Sequence, residues 1–274
     1  LNIRTAFIIV CRFFLQLSGF NTVSAQCPSE NTVFSDQEVI RYTAYYNWGP
    51  VWVDAGTVTF STGKEEYMGR EVWHFKGVGK SFPSYDLLFK VRDYFDAYTD
   101  IATFRPKYFK RQVYEGGYTL LNTLNFNDIT GKIYSSTKTN NNPQRFDTLK
   151  MDPCAFDMLS AIYYTRMLDF SQAYPGWKKD VKVIIDDQAF DIWIRLIGRE
   201  TVETPGGNQY RCIKFAAKMV QGTIFKGEED VLVWVTDDGN KIPVYVEAKI
   251  IVGTVKAYLK DYKGLRNPVT SLVR

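Results

Sequence analysis

The stretch Tyr118-Thr119-Leu120-Leu121-Asn122-Thr123-Leu124-Asn125-Phe126, Asn127-Asp128-Ile129-Thr130-Gly131, Lys132-Ile133-Tyr134-Ser135-Ser136-Thr137-Lys138-Thr139 reads as two strands joined by a turn. Runs of Tyr, Thr, Leu, Ile and Phe suit a pleated, half-buried surface, while an Asn-Asp cluster closing on Gly suits a reversal. The same signal recurs in both directions. Upstream, residues 38–47 alternate, with Ile40, Tyr42, Ala44 and Tyr46 on one face and Val39, Arg41, Thr43 and Tyr45 on the other. Residues 51–62 follow, and Ala55-Gly56 inside them predicts a bulge or a close approach of two backbones. Further strands are expected at 70–76, 91–99, 108–114 and 145–150. Downstream, strands are expected at 180–186, 190–200, 209–219, 230–236, 242–251 and 255–262, with turns at Asp186-Asp187, Thr204-Pro205-Gly206-Gly207-Asn208 and Asp237-Asp238-Gly239-Asn240. Sequential strands on short turns predict an all-β, mostly antiparallel meander, built as a curved sheet or incomplete β-barrel.

One segment departs from that rhythm. Asp152 is placed to cap a helix and Pro153 to open it, so a single main helix is expected at 153–168. Phe156, Leu159, Ile162, Tyr163 and Met167 fall at helical spacing, and Met158 and Ala161 widen the apolar face. A helix so apolar is expected to lie against the concave face of the sheet. If it covers an apolar space there, Leu159, Ile162 and Tyr163 are the candidate ligand-binding residues.

Residues 1–25 read as a signal peptide: Arg4, an apolar stretch from Ile8 to Leu17, and the small-residue site Val23-Ser24-Ala25. Cleavage before Gln26 would leave a single β domain at 26–274, exported to the periplasm or cell envelope of a Gram-negative bacterium. No later stretch has the length and apolarity of a membrane-spanning helix, so the domain is not expected to span a membrane. Of 274 residues, 34 are Lys or Arg and 30 are Asp or Glu, for a net charge of +4. That balance excludes nucleic-acid binding by bulk charge. Of the four cysteines, Cys27, Cys154 and Cys212 remain after cleavage. A Cys27–Cys154 disulfide is expected, with Cys212 buried and reduced in its strand; three free thiols are the alternative.

No active-site constellation emerges, so the chain is read as non-enzymatic. Gly77-Val78-Gly79-Lys80-Ser81 imitates the end of a phosphate-binding loop, but His74 occupies the position of the earlier glycine and Pro83 follows closely. It is read as a strand end and turn, with no nucleotide bound. His74 is the sole histidine, so Ser–His–Asp chemistry would have to run through it, and a structural role is expected instead. Neither Asp186-Asp187 nor Asp237-Asp238-Gly239-Asn240 has calcium-loop spacing, and no metal or other cofactor is expected. The aromatic excess, including Tyr42, Trp52, Trp73, Tyr163 and Trp234, is read as core packing or the lining of a cavity.

Several ordered stretches carry a family resemblance: Tyr45-Tyr46-Asn47-Trp48 with Ala55-Gly56, Arg105-Pro106-Lys107-Tyr108-Phe109 with Glu115-Gly116, and Asp157-Met158-Leu159-Ser160-Ala161. Trp234-Val235-Thr236-Asp237-Asp238, Ile242-Pro243-Val244 and Gly253-Thr254-Val255-Lys256-Ala257-Tyr258-Leu259 complete it. Together they resemble the Domain of Unknown Function 3108 family, and the Gln26-Cys27 start looks like its Bacteroidetes branch. The resemblance implies a secreted or periplasmic β domain, with no catalytic residues to carry over. A looser, fold-level likeness is to the LolA/LolB lipoprotein carriers, whose curved sheet and helical lid hold acyl chains. Three readings follow. The first is a non-catalytic envelope protein holding an apolar small molecule or lipid between sheet and helix. The second is a structural or partner-binding envelope module with a filled core, its protein partners unspecified. The third, more distant, is a hydrolase.

Overall fold

The computed structural model describes residues 30–48, 51–218, 231–249 and 253–273. Among the described residues, fifteen strands form one sheet. They are β1 Val39–Trp48, β2 Val51–Tyr67, β3 Arg70–Ser81, β4 Arg92–Asp100, β5 Pro106–Glu115, β6 Tyr118–Asn127, β7 Lys132–Thr139 and β8 Arg145–Lys150. After β9 Ala155–Asp157 come β10 Lys178–Ile185, β11 Gln188–Glu203, β12 Gln209–Ala217, β13 Val231–Thr236, β14 Pro243–Lys249 and β15 Thr254–Lys263. The helices are short: α1 Asp86–Phe89, preceded by a 3-10 turn, and α2 Met158–Met167.

The strand order follows the chain from β9 to β15, passes from β15 to β1, and follows the chain again from β1 to β8. Neighbours are antiparallel except β9 and β10, which are parallel. The sheet is therefore an unclosed ring whose break falls between β8 and β9, which are consecutive in sequence. Side chains bridge the break. Arg145 of β8 pairs with Asp187 in the β10–β11 turn. Arg111 Nη2 of β5 lies 2.6 Å from Asp186 Oδ1, and Ser135 Oγ of β7 donates to the Asp186 carbonyl at 3.0 Å.

Two sequence expectations need correction. The helix starts at Met158, not Pro153, and ends at Met167. Ala155, Phe156 and Asp157 instead pair in parallel with Lys182, Val183 and Ile184 of β10, which takes up their backbone groups. Asp152 caps only a turn, accepting from the amide of Cys154, while Asp157 accepts from the amides of Leu159 and Ser160 and is the true N-cap. Nor is α2 the only helix, since α1 was not foreseen. The Gly56 expectation is met twice over. The β1–β2 register shifts between Ala44 and Tyr45, opposite Gly56, and a side chain on Gly56 would overlap the Lys80 carbonyl. Residues 1–25 and Cys27, with the expected strand ends at 219, 230 and 250–251, lie outside the described residues. Among the described residues no helix is long and apolar enough to cross a membrane.

Candidate functional site: an apolar cavity beside the interior helix

Helix α2 runs through the inside of the ring and divides it. One face carries Leu159, Ser160, Tyr163 and Tyr164, all buried. It meets Phe75, Phe104, Phe109, Leu124 and Ile133 in a packed core. Tyr163 stacks on Phe75 with ring centroids 3.9 Å apart, Phe34 meets both rings edge-on, and Phe156 stacks on Tyr164 at 4.5 Å. The hydroxyls on this face are paired, Tyr163 Oη accepting from Thr62 Oγ1 at 3.0 Å and Ser160 Oγ lying 3.0 Å from Thr99 Oγ1.

The other face carries Met158, Ala161, Ile162, Thr165 and Arg166, at the i, i+3, i+4, i+7, i+8 positions of a single stripe. It borders a cavity of about 390 Å³. The opposite wall takes Val183, Ile194, Phe215, Val233, Val246 and Ala257 from the strands β10 to β15 in turn, then Tyr42 of β1 and Val58 and Phe60 of β2. Valine, isoleucine and alanine dominate, so the cavity is aliphatic and not the aromatic-lined space that composition suggested. Val231, Val233 and Val235 of β13 all face it, so it runs roughly 13 Å along the strands. Ile185, Ala217 and Val231, at the ends of β10, β12 and β13, mark one extremity; Arg166, Val235 and Pro243 mark the other.

The far extremity is polar beneath its apolar lining. Arg166 Nη1 and Nη2 reach the two carboxylate oxygens of Glu38 at 2.6 and 3.0 Å, and Nε and Nη2 donate to the Asn240 carbonyl. Both partners are buried, so the pair is charge-compensated and hydrogen-bonded, as a buried pair must be to persist. Burial opposes the Arg166 charge, but the Glu38 carboxylate outweighs it and raises the guanidinium pKa. Tyr42 Oη, close to this pair, has no hydrogen-bond partner among the described residues, and burial pushes its pKa well up, leaving a neutral hydroxyl. At the start of α2, burial raises the Asp157 carboxyl to about 6, against the pull of its hydrogen bonds from Ser160 and Leu159.

Of the residues singled out in the sequence, Ile162 borders the cavity and is 40% exposed, whereas Leu159 and Tyr163 face the packed core. Cys154 is disulfide-bonded, with its partner not among the described residues, and Cys212 is free and buried. Burial, ahead of nearby carboxylates, holds the Cys212 thiol up at about 12. Gly77 to Ser81 continue β3, paired on both sides, and do not form a loop. His74, on the other face of β3 from Phe75, is clamped between Glu65 at 2.7 Å and Asp96 at 2.9 Å and stacks on Tyr98. Asp238 ties the β13–β14 turn together, accepting from Thr236, Asn240 and Ser271. Among the described residues no cluster of metal-ligating side chains occurs. Asp93, beside Glu115, is raised to about 7 by burial first and by that neighbour second, but neither carboxylate borders the cavity.

The family described as a protein of unknown function, DUF3108, matches residues 41–260. The chain belongs to the DUF3108 family. Every residue that borders the cavity, from Tyr42 to Ala257, falls inside the DUF3108 span. Among solved structures, a crystal structure of a beta-barrel-like protein of the domain of unknown function DUF1849 from Brucella abortus shares the fold, with a TM-score of 0.51 at 9% identity. That match covers 84% of this chain and 98% of the other. No curated protein matches the sequence.

Proposed function

We propose that this DUF3108 protein is a non-catalytic, exported envelope protein that carries an elongated apolar ligand, such as a lipid acyl chain, between α2 and the β10–β15, β1, β2 wall. The observation that carries the reading is the cavity. Its about 390 Å³ falls within the ~300–1,000 Å³ of small-molecule sites, and its walls are mostly aliphatic. A long, narrow, aliphatic space offers a chain of methylenes burial worth about 0.8 kcal/mol per CH₂ and offers a polar substrate nothing. The non-catalytic part rests on the engagement of the chemistry-bearing groups elsewhere: His74 between two carboxylates and Arg166 on Glu38. The export part rests on residues 1–25.

Titration with a fluorescent fatty acid tests the reading. Wild type is expected to bind saturably, and Ile162→Trp, which puts an indole into the cavity, is expected to lower affinity at least tenfold while keeping its melting temperature. Leu159→Trp points into filled space and is expected to cost about 1–3 kcal/mol of stability without blocking uptake. Absence of saturable binding by a folded wild-type protein would overturn the carrier reading.

A further inference from the structure

The connection between β3 and β4 reads Lys80-Ser81-Phe82-Pro83-Ser84-Tyr85-Asp86-Leu87-Leu88-Phe89-Lys90. Its α1 tip exposes three consecutive large apolar side chains: Leu87 at 97%, Leu88 at 66% and Phe89 at 55%. The tip is held in place from below. Phe82 N donates to the Ala55 carbonyl, and Arg92 bonds Asp86 with Nη2–Oδ2 at 2.5 Å. Gly116 N donates to the Lys90 carbonyl, and the Phe89 ring sits over Gly116, where a side chain would collide with it. A held apolar tip leaves its leucines in water at a cost that a buried contact would recover.

The antiparallel register fixes which end of the ring this tip occupies. The β3–β4 connection, the start of β2, the end of β5 and the start of β15 share one end. The ends of β10 and β12 and the start of β13, where the cavity has its Ile185, Ala217 and Val231 extremity, lie at that same end. Val51 and Trp52 are also exposed there. The same end carries three amphipathic rings, each with a lysine ammonium over it: Lys80 over Tyr94 at 5.7 Å, Lys90 over Tyr114 at 5.6 Å and Lys256 over Trp52 at 4.1 Å. The opposite end exposes Met68 and Ile129 on separate turns and the pair Leu272-Val273 beside the start of β12, but no run of three large apolar side chains.

We propose that this end of the ring docks on an anionic phospholipid surface, with Leu87 and Leu88 entering the acyl region and the lysine–aromatic pairs lying at headgroup level. Tyr and Trp favour the membrane–water interface, and lysines beside them keep their charge in the headgroup layer. Lys80 and Lys90, exposed on the two shoulders of the tip, supply the charge complementarity to anionic headgroups, while Asp86 between them is neutralised by Arg92. A protein partner would equally cover leucines; lysine–aromatic pairs occur elsewhere on the sheet too, and it is their combination here with three exposed apolar side chains that favours lipid. The docking stands on the rim alone, whether or not the cavity is occupied. If both readings hold, the Ile185, Ala217 and Val231 extremity of the cavity faces the lipid.

Co-sedimentation of the purified exported chain with phosphatidylcholine vesicles, with and without phosphatidylglycerol, tests it. Wild type is expected to bind the phosphatidylglycerol vesicles, more weakly at high salt. Leu87→Ser/Leu88→Ser is expected to reduce binding at least tenfold with an unchanged melting temperature, since neither side chain is buried. Lys80→Gln/Lys90→Gln is expected to erase the preference for phosphatidylglycerol. Fatty-acid titration in solution is expected to be unchanged in both variants, so a failed carrier reading and a failed docking proposal give different results. No vesicle binding by wild type, or full binding by the leucine variant, overturns the proposal.

Discussion

The two sides of α2 face different strands of the same ring and end in opposite states. Towards β3–β7 the sheet presents Trp73, Phe75, Phe109, Leu124 and Phe126, and rings from α2 and from Phe34 meet them to leave a packed core. Towards β10–β15 it presents Val183, Ile194, Phe215, Val233, Val246 and Ala257, which line the cavity opposite the helix. Both surfaces are apolar, so hydrophobicity does not distinguish them. The difference is composition: rings dominate the filled side, and valine, isoleucine and alanine, which extend less far from a sheet, dominate the cavity side. Close packing is the ordinary condition of a protein interior, so a half that departs from it over roughly 13 Å of strand calls for an explanation in terms of an occupant.

The largest effect that breaks this comparison is expected at the hinge between the halves. Arg166→Ala leaves the buried Glu38 carboxylate without its guanidinium and is expected to lower stability by about 3–5 kcal/mol in urea unfolding. A loss under about 1 kcal/mol would mean that water reaches Glu38 and that the far end of the cavity is open. Next, paired truncations compare the halves directly. Leu159→Ala, in the packed half, is expected to cost about 2–5 kcal/mol, whereas Ile162→Ala, at the cavity, is expected to cost less than about 1 kcal/mol because it enlarges a space already present. Equal losses would show that the cavity wall packs in solution as tightly as the core.

A smaller effect is expected from pH. The Asp157 carboxyl is raised from its ordinary value of 3.8 to about 6 by burial, so the folded state holds its proton more tightly than the unfolded chain does. The contribution of this group is therefore fully present below about pH 4 and lost as pH rises through 6, on the order of 1–3 kcal/mol. Asp157→Asn keeps an acceptor for the Leu159 and Ser160 amides and is expected to flatten stability between pH 4 and 7 relative to wild type. A wild-type profile that already matches the variant's would place that carboxylate in contact with water.

Much of the sheet was legible because strand signals are local. The stretches expected at 132–139 and 145–150 are the observed β7 and β8, and the bulge at Gly56 was visible in Ala55-Gly56. β9 was hidden because Phe156 fits the helical spacing that follows it, and only the pairing of residues 155–157 with β10 makes them a strand. Asp157, at the true N-cap, was passed over for Asp152, whose neighbour Pro153 suits a helix start equally well. The signal for the buried ion pair was also present: Arg166 is a lone cation on an apolar helix, and such a residue must find a carboxylate. Which side of α2 is hollow could not be read from the helix. Leu159 and Tyr163 look no more apt for a core than Met158 and Ile162 do for a cavity, and the outcome is set by the strands opposite.

The order of the strands has a kinetic consequence. The partner of β1 across the ring is β15, so Tyr42 meets Leu259 and Thr43 meets Tyr258. Synthesis delivers β1 long before β15. Until β15 is free, β1 has one bonded neighbour and the Tyr42 side of the cavity wall has a bare edge, open to pairing with another chain. Loop-closure entropy must be met before that contact forms, so ring assembly is expected to be slow and to wait until β15 has been made. The break that remains lies between β8 and β9, which follow each other directly in sequence, so the longest-range pairing in the molecule is made while a nearest-neighbour one is left unmade.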